Sequence, residues 1–383
     1  MVFFVYPPDR GERDLETKFG TIYGEDEIEA VAEVIRGGAP TNDERVRAFE
    51  DAFAEYCGVK HAIAVTSGTT ALNLGCAAAG IGAGDGVLVP SITWIATANA
   101  AALQGADVGF VDVDRGTSNM DPVDLEQKIT DETRLIIPVH LYGQPCRMDE
   151  IKEVASDHNC TVMTDCAHSP GAEYRGGKAG SLGDMGAFSF HQQKNISTLG
   201  EGGMLTMDSD ELHRRARMFQ NHGREGHSHV FTMVGHNYRM TDVQATVGLI
   251  QLSKLDELNS IRIRNADMLT EMIGGIPGII PPSVIEGVKH VFHLYNLLVE
   301  GDAFGMDRNE LIQKLGERGV RAGTHYEPIH LAEIYRQRGS GPGDCPVAED
   351  IGMRNLTLPM HPRLTRSDLE YMADAIRSSA ENH

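Results

Sequence analysis

The sequence predicts an α/β protein built on a mostly parallel, seven-stranded sheet that helices cover on both faces. Seven short apolar runs follow one another between residues 62 and 207, and amphipathic or alanine-rich stretches separate the earlier ones. The chain has 383 residues, which exceeds the size at which a single core usually stops growing. We therefore expect a large domain over residues 1–255 and a smaller α/β domain over residues 256–383.

The predicted elements follow in chain order. The apolar runs predicted as strands are 62–66, 87–90, 108–112, 135–139, 161–165, 187–190 and 203–207. A long helical pattern without proline covers 241–273, carries leucines near helical spacing, and connects the two domains. In the small domain, 291–299 is predicted as a strand, and 308–318 and 366–379 as helices. In such a sheet, ligands bind at the carboxyl ends of the strands.

Composition excludes several classes of protein. Apolar residues make up 41% and charged residues 23%, which is the balance of an ordinary globular enzyme. The 34 basic and 55 acidic residues leave a net charge of −21, which argues against broad nucleic-acid or anionic-membrane binding. This acidity fits a salt-rich habitat and a merely acidic protein equally well.

The cysteines and the N-terminus indicate a cytoplasmic protein. Six scattered cysteines form no C-x-x-C pair, so neither a zinc site nor a disulfide framework is indicated. The first six residues lack the basic start of a signal peptide, and no later apolar run is long enough to span a bilayer.

A phosphate-binding turn is predicted where the strand 62–66 runs into Ser67-Gly68-Thr69-Thr70 and a helix begins. Backbone N–H groups at that helix start, with the Ser67 and Thr69 hydroxyls, can cradle a phosphate. Ordinary helix capping is the alternative. Two other phosphate motifs are excluded, because the glycine-rich run 80–86 follows a helix and lacks the last glycine of the dinucleotide fingerprint, and the chain has no P-loop.

A lysine and an aspartate point to pyridoxal phosphate. Lys194 follows the predicted strand 187–190 and precedes a glycine turn. A lysine with a lowered pKa can condense with an aldehyde cofactor, and an exposed loop lysine is the alternative. Asp165 ends the strand 161–165, where a carboxylate can keep a pyridine nitrogen protonated or simply cap the next turn.

Other residues near these motifs have two interpretations each. His168 can hydrogen-bond the phenolic oxygen of a pyridoxal ring or be structural, and Trp94 can stack on that ring or pack in the core. A histidine-rich loop precedes the long helix and includes His222, His227, His229 and His236. No carboxylate or cysteine completes a recognisable metal spacing there, so we expect no metal.

Taken in order, the motifs resemble the DegT/StrS-type sugar aminotransferases along nearly the whole chain. The matching motifs are Ser67-Gly68-Thr69, Trp94, Asp165-Cys166-Ala167-His168, Ser189-Phe190, Lys194, Gly200-Glu201-Gly202-Gly203, Asn237-Tyr238-Arg239-Met240, Tyr326-Glu327-Pro328-Ile329-His330 and Thr357-Leu358-Pro359-Met360-His361-Pro362. The resemblance implies the aspartate-aminotransferase-like fold, which is fold type I of the pyridoxal-phosphate-dependent transferases. It also implies a homodimer with shared active sites.

The resemblance also implies a role for each motif residue. Pyridoxal phosphate is expected as an aldimine on Lys194, with Asp165 on the pyridine nitrogen, Trp94 stacked on the ring, and His168, where many relatives carry Gln, on the ring oxygen. Gly68, Thr69 and Ser189 are expected to bind the phosphate, and Asn237 to reach the phosphate in the neighbouring subunit. Expected substrate contacts are Arg239, Tyr326 and His330. The stretch 37–42 lacks the aromatic residue that many relatives show there.

Lys194 also distinguishes two chemistries within the family. Relatives that dehydrate a sugar have histidine at this position, whereas transamination needs the lysine to move a proton. We therefore expect amino transfer from glutamate or glutamine to a keto-sugar, either nucleotide-linked or a cyclitol such as an inosose. A nucleotide diphosphate needs a local basic patch, for which Arg224 and Arg239 are candidates, while the acidic charge balance leans slightly toward a cyclitol.

A protein of a different class is the alternative. Fold resemblance alone also allows a regulator that binds pyridoxal phosphate or an amino sugar without turnover. A regulator acting on DNA would usually bring a basic binding module, and none is visible in the sequence.

Overall fold

The computed structural model describes Leu15 and residues 21–38, 44–226 and 229–381. The N-terminal run 1–6, most of the stretch 37–42 and His227 lie outside these residues. The described strands are β1 His61–Val65, β2 Gly86–Pro90, β3 Asp107–Val111, β4 Thr133–Ile136, β5 Thr161–Asp165, β6 Glu173–Tyr174, β7 Gly177–Lys178, β8 Met185–Ser189, β9 Gly203–Met207, β10 Ile279–Ile280, β11 Val288–Lys289, β12 Tyr295–Val299 and β13 Asn355–Leu358.

The helices cover the strands and connect them. They are α1 Glu25–Gly37, α2 Glu44–Cys57, α3 Gly68–Ala79, α4 Ala96–Ala102, α5 Pro122–Lys128, α6 Met148–Asp157, α7 Asp210–Gln220, α8 Asp242–Ile273, α9 Gly301–Phe304, α10 Arg308–Glu317, α11 Glu333–Arg336, α12 Pro346–Arg354 and α13 Arg366–Glu381. Short 3-10 turns lie at Leu141–Gly143 and Ile329–Leu331. No helix in this described part of the chain is both long and apolar enough to cross a bilayer.

The seven predicted strands form one sheet in the order β1-β9-β8-β5-β4-β2-β3, which confirms the predicted α/β class. Strands β3, β2, β4, β5 and β8 run parallel, and β9 is antiparallel to both of its neighbours. Because β9 returns next to β8, the segment between Ser189 and Gly203 turns at the carboxyl edge of the sheet. That segment carries Lys194.

Side chains of the sheet alternate between two apolar clusters, as the two-residue period of a strand requires. In β1, Ile63 and Val65 face the alanine-rich helix α3, while Ala62 and Ala64 pack with phenylalanines of α2 and β8. Helices therefore bury both faces of the sheet. The alanines of α3 let that helix lie close over the strands.

The predicted long helix is α8, and its start is capped as its sequence indicates. Thr241 accepts a hydrogen bond from the backbone of Gln244, and the Gln244 side chain accepts one from the Thr241 backbone. The helix runs from the core that contains Leu258 to a second core that contains Ala266. The division that we propose after residue 255 falls inside this helix, so the domains share it.

The small-domain sheet has the order β10-β12-β13 and is antiparallel. Helices α10 and α13 form close to where the pattern predicts them. The prediction of a strand over 291–299 was wrong at its start, because β12 begins only at Tyr295. The preceding residues run along the large domain instead, where the N–H groups of Val291 and Leu294 donate to the carbonyls of Gly143 and Tyr142.

Candidate active site

A cavity of about 350 Å³ opens at the carboxyl edge of the central sheet. Its lining comes from the turns after β1, β2, β5 and β8 and from the segment that precedes the turn Ile329–Leu331. The structure brings eight of the predicted site residues together there: Gly68, Thr69, Trp94, Asp165, His168, Ser189, Lys194 and Tyr326. A cavity of this size suits a small organic ligand.

One end of the cavity is the start of α3. Ser67 caps the helix, since its Oγ accepts from the Thr70 backbone N–H at 3.2 Å, so the capping interpretation holds for this hydroxyl. The next residues, Gly68 and Thr69, begin the first turn, where backbone N–H groups have no partner within the helix. A Cβ on Gly68 would lie 2.6 Å from the Cβ of Ser189, so only glycine lets β8 come this close. The turn, the helix start and the hydroxyls of Thr69 and Ser189 fit a phosphate group.

Asp165 is buried at the end of β5 and is held by two hydrogen bonds. The Thr97 hydroxyl donates to Oδ2 at 2.8 Å, and the Ala167 N–H donates to Oδ1 at 3.0 Å. Burial raises the pKa of Asp165, whereas both hydrogen bonds and the charge of Lys194 act to lower it. The capping and site interpretations are therefore compatible. A buried carboxylate that opens on a cavity fits a cationic ring nitrogen.

Lys194 lies in the cavity and is half-buried. Burial lowers the pKa of its amine to about 8, although the charges of Asp165 and Glu201 act in the opposite direction. An amine with this pKa is partly unprotonated near neutral pH, which an ordinary lysine is not. Only the unprotonated amine is a nucleophile, so the site provides what condensation with an aldehyde requires.

His168 has a defined tautomer. Its Nδ1 accepts the backbone N–H of Tyr142 at 3.3 Å, and burial lowers its pKa well below the usual value, so the ring is neutral. The proton of the neutral ring is therefore on Nε2, which lies 3.3 Å from the hydroxyl of Tyr326 and faces the cavity. This N–H can donate to a ligand oxygen, as predicted from the motif.

Two aromatic side chains form walls of the cavity. Trp94 is 52% exposed, so it is not a core residue. Its ring centroid lies 5.9 Å from that of Tyr326, and the two planes are tilted by 53°. Such exposed aromatic faces suit a flat ring as ligand.

Sequence reasoning missed several residues of the site. Thr97 contacts Asp165 from α4, and His325 lines the cavity next to Tyr326. His191, Gln193 and Glu201 line the cavity on the Lys194 side. Thr97 lies in an alanine-rich helix that carries no recognisable motif, so no signal could have found it. His325 directly precedes a matched motif, which was the available signal.

Three predicted residues do not line the cavity. Asn237 is exposed and accepts a hydrogen bond from the Arg239 backbone, while the Arg239 guanidinium donates to Asn221 at 2.7 Å. His330 is fully buried, with Ser91 on Nδ1 and Glu349 on Nε2. Both of its nitrogens are therefore already paired inside the protein, and in this structure its side chain does not reach the cavity.

The histidine-rich loop before α8 does not gather into a cluster in the described residues. No group of three histidine, cysteine, aspartate or glutamate side chains suited to holding a metal ion is found among them. His236 stacks on Tyr238 with ring centroids 5.0 Å apart. All six cysteines lie in described segments and are free thiols.

Comparison with known proteins identifies relatives over almost the full length. The model of the DegT/DnrJ/EryC1/StrS aminotransferase family matches residues 21–377. The chain is 42% identical to GDP-perosamine synthase of Caulobacter vibrioides over 86% of this chain and 88% of that protein. It is 36% identical to dTDP-3-amino-3,4,6-trideoxy-alpha-D-glucose transaminase of Streptomyces venezuelae, over 96% and 95% of the two chains. The PLP-form structure of Spr1654 from Streptococcus pneumoniae superposes with a TM-score of 0.88 at 28% identity, covering 97% of each chain.

Proposed function

This chain belongs to the DegT/DnrJ/EryC1/StrS aminotransferase family, and on that premise we propose that it transfers an amino group from glutamate or glutamine to the ketone of a nucleotide-linked sugar. It is a sugar aminotransferase of the fold type I class, and its cofactor is pyridoxal phosphate. The amino donor, the acceptor and the roles of individual residues are the proposal. The observation that carries it is the joint placement of Lys194 and Asp165 in one cavity beside the start of α3.

The nucleotide-linked acceptor is supported by the relatives. The names of the two sugar-modifying relatives specify a GDP-linked and a dTDP-linked sugar. Both relatives match at least 86% of this chain. This similarity outweighs the negative net charge, which is a surface average and describes no single pocket.

The charge of such a substrate supports a homodimer. A nucleotide diphosphate is anionic and needs cationic partners. No arginine is among the described residues that line the cavity. Arg224 lies outside it, in a second cavity that also contains Arg47 and Arg217, and Arg239 lies nearby on Asn221. We propose that a second copy of the chain brings Asn237, Arg224 and Arg239 to the mouth of the first cavity.

Six residues of the cavity have a part in the proposed reaction. When bound, pyridoxal phosphate supplies a ring that withdraws electrons from the substrate carbon. Asp165 would face the ring nitrogen and favour its protonated form, and the Nε2–H of His168 would donate to the ring oxygen. Lys194 would hold the cofactor through its amine and would accept and return a proton during the reaction. Gly68, Thr69 and Ser189 would hold the phosphate.

The half-reaction tests this proposal. Glutamate or glutamine, added to the purified protein with pyridoxal phosphate, should shift the absorbance of the bound cofactor without any acceptor. A nucleotide-linked keto-sugar should then restore the original absorbance, and free inososes should not. Lys194→Ala is the control and should show neither change. An absorbance that neither donor alters would support a regulator instead, and turnover of inososes alone would refute the nucleotide-linked acceptor.

A further inference from the structure

A buried hydrogen-bonded chain lies behind the aromatic wall of the cavity, and the proposed reaction makes no use of it. The three members are Ser91, His330 and Glu349. Ser91 and His330 are both fully buried. The pKa of Glu349 is lowered, first by the Gly343 N–H that donates to it and also by His330, so its carboxylate is ionised.

The partners set the direction of this chain. The carboxylate of Glu349 can only accept, so Nε2 of His330, which lies 3.1 Å from Glu349 Oε1, is the donor of that bond. The Nδ1 atom, on the opposite side of the ring, pairs with the hydroxyl of Ser91. Each of the three side chains therefore has one defined orientation. Such a chain fixes the positions of the backbone segments that carry it.

One of these segments carries Trp94. Ser91 directly follows β2, and its carbonyl accepts the N–H of Ile329 at 2.8 Å. Trp94 comes three residues later, and its own carbonyl accepts from the Thr97 backbone N–H at 3.1 Å. The turn that carries the indole is thus held at both ends.

The other segment carries Tyr326 and rests on α12. Asn355 accepts from the His325 N–H at 3.1 Å through its side chain. Pro328 packs so closely on the helix that a Cβ on Gly352 would lie 2.6 Å from its Cδ. Glu349, one turn earlier on α12, reaches His330 from the same helix. The helix α12 therefore positions Tyr326 and, through His330 and Ser91, Trp94 as well.

We propose that His330, oriented by Glu349, is a positioning residue that holds Trp94 against Tyr326 and thereby sets the affinity for the flat ring of the cofactor. The positioning itself follows from the contacts. The effect on affinity rests on the proposed function, in which Trp94 stacks on that ring.

The protein has a direct reporter of this positioning, because Trp94 is the single tryptophan of the polypeptide. Time-resolved fluorescence anisotropy of the cofactor-free protein therefore measures the mobility of this side chain alone. Ser91→Ala and Glu349→Ala should each increase the fast, mobile component. Glu349→Gln should restore the parent behaviour, since its Oε1 can accept from both His330 and Gly343. Ser379→Ala is the matched control, because this buried serine also loses one hydrogen bond but lies in α13.

Titration with pyridoxal phosphate completes the test. Ser91→Ala and Glu349→Ala should each raise the dissociation constant for pyridoxal phosphate about three- to tenfold, because each loses a hydrogen bond that positions Trp94. Ser379→Ala should show no such change. Anisotropy in Ser91→Ala and Glu349→Ala equal to that of Ser379→Ala overturns the positioning role. The positioning role is also overturned if Glu349→Gln does not restore the parent anisotropy and its urea midpoint is lowered. The hydrogen bonds would then support the fold in general. Altered anisotropy with unchanged affinity supports positioning and refutes the stacking of Trp94 in the proposed function.

Discussion

Burial and charge act on the Lys194 amine in opposite directions. Burial lowers the pKa from 10.5 to about 8, and the carboxylates of Asp165 and Glu201 raise it. The balance leaves an amine that is partly free near neutral pH and mostly free above pH 8. Without this burial, a much smaller fraction of the Lys194 amine would be free near neutral pH, and its reaction with an aldehyde would be correspondingly slower.

The rate at which cofactor-free protein captures pyridoxal phosphate should therefore rise with pH and level off above about pH 8. The sign follows from the nucleophile, since the free amine fraction grows as pH passes the pKa. The measurement is a stopped-flow absorbance trace at each pH, with Lys194→Ala as the control that captures none. A rate still rising steeply at pH 10 would mean that Lys194 keeps an ordinary pKa.

Thr97 supports Asp165 through a single hydroxyl. Thr97→Val keeps the shape and removes the bond to Oδ2, so the pKa of the carboxyl should rise further and its pairing with the ring nitrogen should weaken. A hydrogen bond to a charged group contributes enough that the donor half-reaction should slow about tenfold or more. Thr246→Val is the matched control, because the buried hydroxyl of Thr246 has no hydrogen-bond partner among the described residues. Equal rates in the two variants would contradict this role.

Site residues that follow a recognisable motif could be predicted, and their neighbours could not. Asp165 ends one predicted strand and Lys194 follows another, at the edge where a sheet of this kind places its ligands. Thr97 reaches the site from α4 by a contact between distant parts of the chain. His330 shows a second limit of sequence-based prediction. A residue within a matching motif can face either the cavity or the protein interior, and His330 is buried in the interior.

Strand β9 packs very closely on the turn that connects β1 to α3. A Cβ on Gly203 would lie 2.3 Å from the carbonyl oxygen of Ser67, and backbone cannot move aside as a side chain can. This glycine in β9 therefore determines where the start of α3, with Gly68, can lie.

Gly203→Ala should displace that turn. We expect a loss of about 1–3 kcal/mol in the free energy of unfolding, as for other overpacked sites, and a weaker affinity for pyridoxal phosphate. Urea unfolding and cofactor titration measure the two effects. Gly82→Ala is the control, because apart from the two neighbouring residues no described part of the chain lies within 4 Å of the added Cβ there. A Gly203→Ala protein that behaves like the control would show that the turn is not constrained by β9.

The elements themselves were largely predictable because their periodicity is strong. All seven apolar runs became strands of one sheet, and the proline-free stretch 241–273 became α8 with its cap at Thr241. Periodicity carries no information about strand direction, so the antiparallel orientation of β9 was not foreseen. The false start of the strand at residue 291 has a similar cause, because apolar residues there bond to the Leu141–Gly143 turn instead of the small sheet.

The two domains and the proposed dimer determine how the site is completed. Helix α8 joins the two cores, so the segment with Tyr326 and the sheet with Lys194 are connected through continuous helix. The proposed second copy adds Asn237 and arginines that this cavity lacks. A monomer would then bind the cofactor poorly and the anionic substrate hardly at all.

Mixing two inactive variants tests this sharing. Lys194→Ala and Asn237→Ala chains, refolded together, should form mixed dimers in which one site has both residues intact. With random pairing, about a quarter of the parent activity should return. Each variant alone provides the control. No recovery, in a mixture that sedimentation shows to be dimeric, would mean that Asn237 serves the site of its own chain.

Covalent trapping tests the assignment on which the proposed reaction depends. The protein is incubated with pyridoxal phosphate, reduced with borohydride, digested, and mapped by mass spectrometry. We expect one reduced pyridoxyl group, on the peptide that contains Lys194, and none in Lys194→Ala. A label on another lysine, or no label with excess cofactor, would contradict the assignment.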